Sequence, residues 1–368
     1  MSEKPQGAWT RDYDALAAYS DSLEEAYHQQ KERAVHALLV DGIAHLLAGR
    51  FVRARKSAEG ALAQEQSLQG AGVRLGHAEP MRALAHLVVA ESAQALQDPA
   101  AREEHLQRAL VPANAREGQA MREGVLMRAA RWALDERDAA TAGRWLADLP
   151  QGAVRRTLAL RMRLKASRLL GRTGEALETA RLLAKHRAFS PAAAQSIVRG
   201  LAMDLLNDAH DMGQLQHAWD ELEPAERQMP ELAIHAALRA AALQGDTERA
   251  RAWLLPVWEA QEQLSEALKV RLVRALESGL DTIDGTWLAR FEAAQRANPR
   301  DATLQYLAGM ACMKRQLWGK AQQLLTQAAL GLQDPELHRQ AWRALALLAE
   351  DRGDGVTAAQ AWKRAAGE

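Results

Sequence analysis

A single cysteine, Cys312, in 368 residues excludes an internal disulfide framework and a structural zinc site built from several thiolates. Aromatic residues make up only 5% of the chain and β-branched residues are scarce, so the usual material of sheets is missing. No run approaches the roughly 20 apolar residues that cross a bilayer. The nearest candidate, Ala37 to Ala48, is interrupted by Asp41 and His45. Met1 to Tyr19 has no apolar core and does not read as a signal peptide. As written, the chain reads as soluble. Net charge is absent too: Lys plus Arg and Asp plus Glu are equal at 47 each, so the whole-chain field selects neither nucleic acid nor an acidic surface as partner.

Alanine, leucine, arginine, glutamate and glutamine dominate, a composition that favours helix almost throughout. Within it one pattern recurs: a small-residue turn, then an alanine-led helix. It is seen in Gly49-Arg50-Phe51-Val52-Arg53-Ala54, in Gly171-Arg172-Thr173-Gly174-Glu175-Ala176, in Gly213 to Ala218, in Gly245 to Ala250 and in Gly353 to Ala358. Glycine there is expected to take the left-handed backbone that ends one helix, and the alanine five residues later to let the next helix approach closely. Weaker turns keep the register at Gln97-Asp98-Pro99 and at Arg137 to Ala142. Alanines 142, 176, 218 and 250 are 34, 42 and 32 residues apart, around the tetratricopeptide period of about 34. The last two units fit best, with Gly309 seven residues before the turn position Gln316 and Pro299 at a repeat end. The expected fold is all-α, a tetratricopeptide-like α-solenoid of about eight or nine helical hairpins.

Residues 1–20, with Pro5 and Gly7, read as a loosely ordered lead-in, with Ser20 or Asp21 as a cap for the first helix. Residues 21–150 then form an N-terminal helical-hairpin region and 151–368 a repeat array. Gln69 to Pro80 reads as an irregular connection, and Pro191 and Pro230 as first-turn prolines that open new helices.

Catalytic and cofactor motifs are weak. Gly70-Ala71-Gly72-Val73-Arg74-Leu75-Gly76 mimics a nucleotide fingerprint, but its last spacing is one residue too long and no strand precedes it. His210 and His217, seven residues apart across a turn, could converge as haem ligands or be two loop histidines. Cys312 beside Met313 reads as core. Glu221, Glu223 and Glu226 read as solvated charges, and no Ser-His-Asp, Cys-His or paired-carboxylate set stands out. A non-enzyme that requires no cofactor is expected. Trp132, Trp145, Trp219, Trp253, Trp258, Trp342 and Trp362, with Trp318, read as fillers of interhelical space.

In such arrays the first helix of each hairpin lines the concave side. The register places Met127 and Arg131 there, then Arg161, Lys165 and Arg168, then Met203, Asn207 and His210, then His235 and Arg239. This basic stripe, with methionine and histidine beside it, suits an anion. Guanidinium and ammonium groups would hold the propionates of a porphyrin or the acidic side chains of a peptide. The same cations would also serve simply to cover helix surface and pair with neighbouring acids.

The stretch from Asn298-Pro299 through Gln316-Leu317-Trp318-Gly319-Lys320-Ala321 to Leu325 resembles the proteobacterial HemY family of haem-biosynthesis-associated tetratricopeptide proteins. Leu46 to Ala54 and Pro230-Glu231-Leu232 add to the resemblance, which covers most of the chain from about residue 31. It implies a repeat domain on the cytoplasmic side of the inner membrane that takes part in late haem and porphyrin metabolism by binding pathway enzymes, the tetrapyrrole, or both. Family members begin with two membrane helices. Here Asp12, Asp14, Asp21, Glu24 and Glu25 stand in that place, so membrane attachment is implied only through an anchor that these residues lack. A general protein assembly scaffold and, third, an enzyme of porphyrin metabolism are the alternative functions.

Overall fold

In the computed structural model, which describes residues 8–73, 75–113 and 119–367, every regular element is helical. Many of the helices end in the same backbone closure, which turns the chain back into the next helix. A residue with positive φ stops the helix, and the next amide donates back to the carbonyl five residues earlier. Arg50 N–H reaches His45 O at 2.8 Å, Asp138 N–H reaches Ala133 O at 2.8 Å, and Leu317 N–H reaches Cys312 O at 2.9 Å. Glycine supplies the left-handed residue at Gly49, Gly171 and Gly353, whereas Gln97, Arg137, Arg187, Gln244 and Gln316 supply it elsewhere.

Two of the expected turn glycines play other parts. Gly213 lies inside a helix capped by the Asp211 side chain, and at the Gly245 turn the left-handed residue is Gln244. A Cβ at Gly245 would meet the flexible Met212 side chain, which would have to move aside. The alanines behave as predicted: Ala54, Ala142, Ala176, Ala218, Ala250, Ala321 and Ala358 are all buried. A non-glycine residue in the left-handed region costs roughly 1–2 kcal/mol, partly offset when glycine gains freedom in the unfolded chain. Gln316→Gly is therefore expected to raise stability by about 0.5–1 kcal/mol in a urea melt, while Gly353→Ala lowers it by a similar amount.

The chain forms two compact units, Met1–Ala188 and Phe189–Glu368. In the first, α1 (Ala8–Leu47) pairs with α2 (Phe51–Gly70), α3 (Ala78–Ala95) with α4 (Pro99–Ala113), and α5 (Gln119–Asp135) with α6 (Ala139–Ala147). A single turn, α7 (Gln151–Val154), leads to the pair α8 (Thr157–Leu169) and α9 (Thr173–Lys185). The first helices α1, α3, α5 and α8 pack in a row, and α2, α4 and α6 each touch the first helix of the following pair. This is the tetratricopeptide manner of stacking.

The second unit repeats it. There α10 (Pro191–Asn207) is followed by α11 (Met212–Asp220), the single turn α12 (Pro224–Arg227) and the pair α13 (Pro230–Ala242) and α14 (Thr247–Glu259). Then come α15 (Glu266–Glu277), α16 (Gly285–Ala297), the pair α17 (Ala302–Lys314) and α18 (Trp318–Gly331), and the pair α19 (Pro335–Glu350) and α20 (Gly355–Ala366). Helices α10, α13, α15, α17 and α19 form the row of first helices. The described residues thus hold eight hairpins whose two helices pack on each other, with α15 and α16 as a looser ninth couple, an all-α fold of stacked tetratricopeptide-like pairs. Pro191 and Pro230 open α10 and α13, and the Ser190 side chain accepts from the Ala193 amide to cap α10.

The N-terminal expectation is corrected. Residues 1–7, with Pro5 and Gly7, lie outside the described residues, but the chain is helical from Ala8, and Ser20 and Asp21 sit inside α1 with no capping role. The run Ala15-Leu16-Ala17-Ala18 carries the helix through. The connection expected over Gln69 to Pro80 is shorter, because α2 runs to Gly70 and α3 begins at Ala78. Arg74 lies outside the described residues. The chain divides between Ala188 and Phe189, whereas residue 150 is bridged by α7: Leu149 and Ala153 join Leu126, Ala142 and Ala159 in one core cluster.

Candidate first-helix binding face

Every residue of the basic stripe except His210 falls on a first helix: Met127 and Arg131 on α5, Arg161, Lys165 and Arg168 on α8, Met203 and Asn207 on α10, His235 and Arg239 on α13. They divide between the two units.

In the first unit the cations stand on solvent and lean on their neighbours. Arg131 and Lys165 approach opposite oxygens of Asp135 at 3.9 and 3.7 Å, with half or more of each side chain exposed. Such pairs contribute about 0–1 kcal/mol, which leaves the cations free to exchange partners. Arg161 donates to the Ala188 carbonyl at 2.8 Å, in the turn that ends α9, and Arg168 is exposed.

In the second unit three stripe residues come together. His235 Nε2 is 2.8 Å from Asn207 Oδ1. Arg239 donates to the backbone carbonyls of Asn207 at 3.3 Å and Ala209 at 2.7 Å. Arg239 therefore closes the carbonyl end of α10, where the last helical turn has no internal partners. Burial, then Arg271, then Arg239 push the His235 pKa below the usual imidazole value, against a smaller pull from Asp204.

Arg271 on α15 is the residue of this face that the sequence did not single out. It is the sixth residue of α15, as His235 is the sixth of α13. Extending the register by one more first helix would have found it. Met203 is half-buried on α10, and His210 is exposed in the turn before α11, where its backbone amide donates to Gln214 Oε1. His217 pairs with Glu221 at 3.1 Å, and no contact among the described residues joins it to His210.

A second histidine pair was missed altogether. His86 on α3 and His105 on α4 bring their Nδ1 atoms to 3.1 Å, beside a cavity of about 430 Å³ also lined by Glu59, Glu65, Arg82 and Arg108. Burial, then His105, Arg108 and Arg82, pull the His86 pKa to about 4, and burial lowers that of His105. Nothing in a 19-residue spacing announces such a pair; only hairpin packing makes it. Among the described residues no group of three or more His, Cys, Asp or Glu side chains could hold a metal ion.

Several side chains differ from expectation. Glu226 is buried, and with Glu223 it forms the capping box that starts α12, so these are not merely solvated charges. Trp132, Trp219, Trp253 and Trp258 are buried and Trp145 and Trp342 half-buried, but Trp318 and Trp362 are exposed at 44% and 38%. Trp318 opens α18 at a hairpin tip, beyond the reach of the neighbouring hairpin core. Cys312 is fully buried and its thiol pKa is raised, first by that burial, as a core residue requires. The glycines at 70 and 72 end α2 and form its exit turn, with no strand before them.

No family model matches the chain. No curated protein matches it either. Among solved structures it is similar to yeast Tom70 at 14% identity, covering 91% of this chain and 69% of that chain with a TM-score of 0.29. It is also similar to the Cut9–Hcn1 hetero-tetramer of APC/C at 14% identity, covering 90% and 66% with a TM-score of 0.30. The TPR domain of P58(IPK) is matched at 14% identity over 86% and 99% of the two chains, with a TM-score of 0.25. At such scores the fold assignment rests on the hairpins themselves. Among the described residues no helix is long and apolar enough to cross a membrane.

Proposed function

We propose that this chain is a non-enzymatic binding scaffold that holds protein partners, and an anionic guest, on the faces of its first helices. The observation that carries the proposal is the placement of His235 and Arg239 on α13 beside Arg271 on α15, the next first helix, close enough that both guanidiniums add to burial in lowering the His235 pKa. The groups there that can hold an anion are the two guanidiniums, beside the half-buried Met203. That combination suits carboxylates carried on an apolar body.

The finer assignment follows from the resemblance of Gln316 to Ala321 to HemY: the partners are enzymes of late haem biosynthesis, and the guest is haem or a porphyrin whose propionates meet the arginines. The protein itself performs no chemistry on that guest. Membrane association would require an anchor beyond these residues.

Titration of the purified protein with haem and with coproporphyrin, followed by Soret absorbance, tests this. A saturable change is expected, weakened about tenfold or more by Arg271→Gln, with the guest unchanged in mass after incubation. If no saturable change appears, and substitution of Arg161, Lys165 and Arg168 is equally silent, the tetrapyrrole is removed and a general protein assembly scaffold is left.

A further inference from the structure

The second helices of the first unit are unequal. α6 has 9 residues where α9 has 13, and the single turn α7 follows it. A cleft of about 670 Å³ lies between α6, α7, α8 and the start of α9. This volume lies within the range of small-molecule sites.

Its floor is apolar. Leu146, Leu149, Ala159 and Ala166 are buried members of the adjoining core cluster, and all line the cleft. Three arginines stand around it, Arg144 from α6, Arg163 from α8 and Arg172 from the turn before α9, against one carboxylate, Glu175. Arg172 pairs with Glu175 at 3.5 Å. Arg144 donates to the Thr141 hydroxyl at 2.9 Å, and no ion pair joins Arg144 or Arg163 to an acid among the described residues. Two guanidiniums outside any close ion pair, though Arg144 stands within electrostatic reach of Asp138, over an apolar floor constitute a complementary setting for one chemistry: an apolar body ending in an anion.

We infer that this cleft is a binding site for an amphipathic organic anion, a molecule with a hydrocarbon or aromatic body and a terminal carboxylate or phosphate. The body lies on Leu146, Leu149, Ala159 and Ala166, and the anionic end meets Arg144 and Arg163. The site lies between α6 and α8 and shares no residue with the first-helix face of the preceding proposal.

The test is calorimetric titration of the full chain at pH 7 with laurate below its micellar concentration, beside dodecanol and dodecyltrimethylammonium. Dodecyl phosphate serves as a second anion that separates carboxylate from phosphate selectivity. Saturable 1:1 laurate binding is expected, at least tenfold tighter than dodecanol, with no binding of the cation. The double variant Arg144→Glu with Arg163→Glu is expected to weaken laurate at least tenfold and leave dodecanol unchanged. Ala147→Trp, at an exposed position lining the cleft, keeps the charges and fills the space, so it should abolish binding of both. Arg271→Gln should change none of these values. Equal affinity for laurate and dodecanol, or wild-type laurate binding by both cleft variants with their helicity intact, would overturn the inference.

Discussion

Phe291→Ala is expected to destabilise the second unit by about 3–5 kcal/mol, the range for removing a buried aromatic ring from a packed core. Phe291, on α16, is 1% exposed. Its ring stands edge-on to Trp258 of α14 at 5.0 Å between centroids and 5.6 Å from Trp287. Edge-to-face geometry of this kind adds about 0.5–1.5 kcal/mol to area burial. α16 packs chiefly on the following helix α17, so this cluster is its hold on the preceding pair. The connection from α15 to α16 is itself pinned by Arg251, whose guanidinium donates to the Gly279 carbonyl at 2.8 Å and to the Thr282 hydroxyl and carbonyl at 3.0 and 3.2 Å. Urea melts followed by tryptophan emission and by helicity give the number. A loss below about 1 kcal/mol at unchanged m would mean that α16 is held by something else.

Gly309→Val is the second large effect, about 2–3 kcal/mol of destabilisation, from overpacking a tight helix contact. A Cβ at Gly309 would lie 2.8 Å from Leu325 Cγ and 3.2 Å from the Leu325 backbone nitrogen, and the backbone of α18 cannot rotate away as a side chain would. Gly309→Ala is expected to lose less, because helix propensity returns up to about 1 kcal/mol. Gly200, mid-way along α10, has open space around its Cβ position. There, Gly200→Ala should stabilise by about 0.5–1 kcal/mol. If Gly309→Val and Gly200→Ala moved the denaturation midpoint alike, close approach would not be the reason for glycine at 309. In α1 the approach is looser: a Cβ at Gly42, seven residues before the Gly49 turn, would stand 3.4 Å from the Ala54 carbonyl oxygen, an ordinary contact.

The hairpins were legible because their signals are local. A left-handed closure, a buried alanine at the start of the second helix and a glycine seven residues before the turn act within one pair, at any point in the chain. The turn residue was less legible than the turn: the backbone closure is the same at Gly353 and Gln316, and the packed pair tolerates the strain of a side chain there. The stripe was legible as a helix register, which put Asn207, His235 and Arg239 on neighbouring faces. Their mutual hydrogen bonds depend on how far α10 overlaps α13, and no residue spacing records that. The exposed Trp318 was misjudged for a related reason: residue type suggests burial, but a position at a hairpin tip has no neighbour to be buried by.

From the sequence alone came the all-helical character, the alternation of stop and start, the near-34-residue period and the first-helix register, since each follows from backbone preferences within a few turns of helix. Only the tertiary structure decided that the chain is already helical at Ala8, that the units divide after Ala188, that His86 faces His105, and that an arginine-rimmed cleft lies beside the short α6. Those features arise from the lengths and offsets of helices packed against one another, and packing of that kind is a property of pairs of surfaces that neither helix carries in its own sequence.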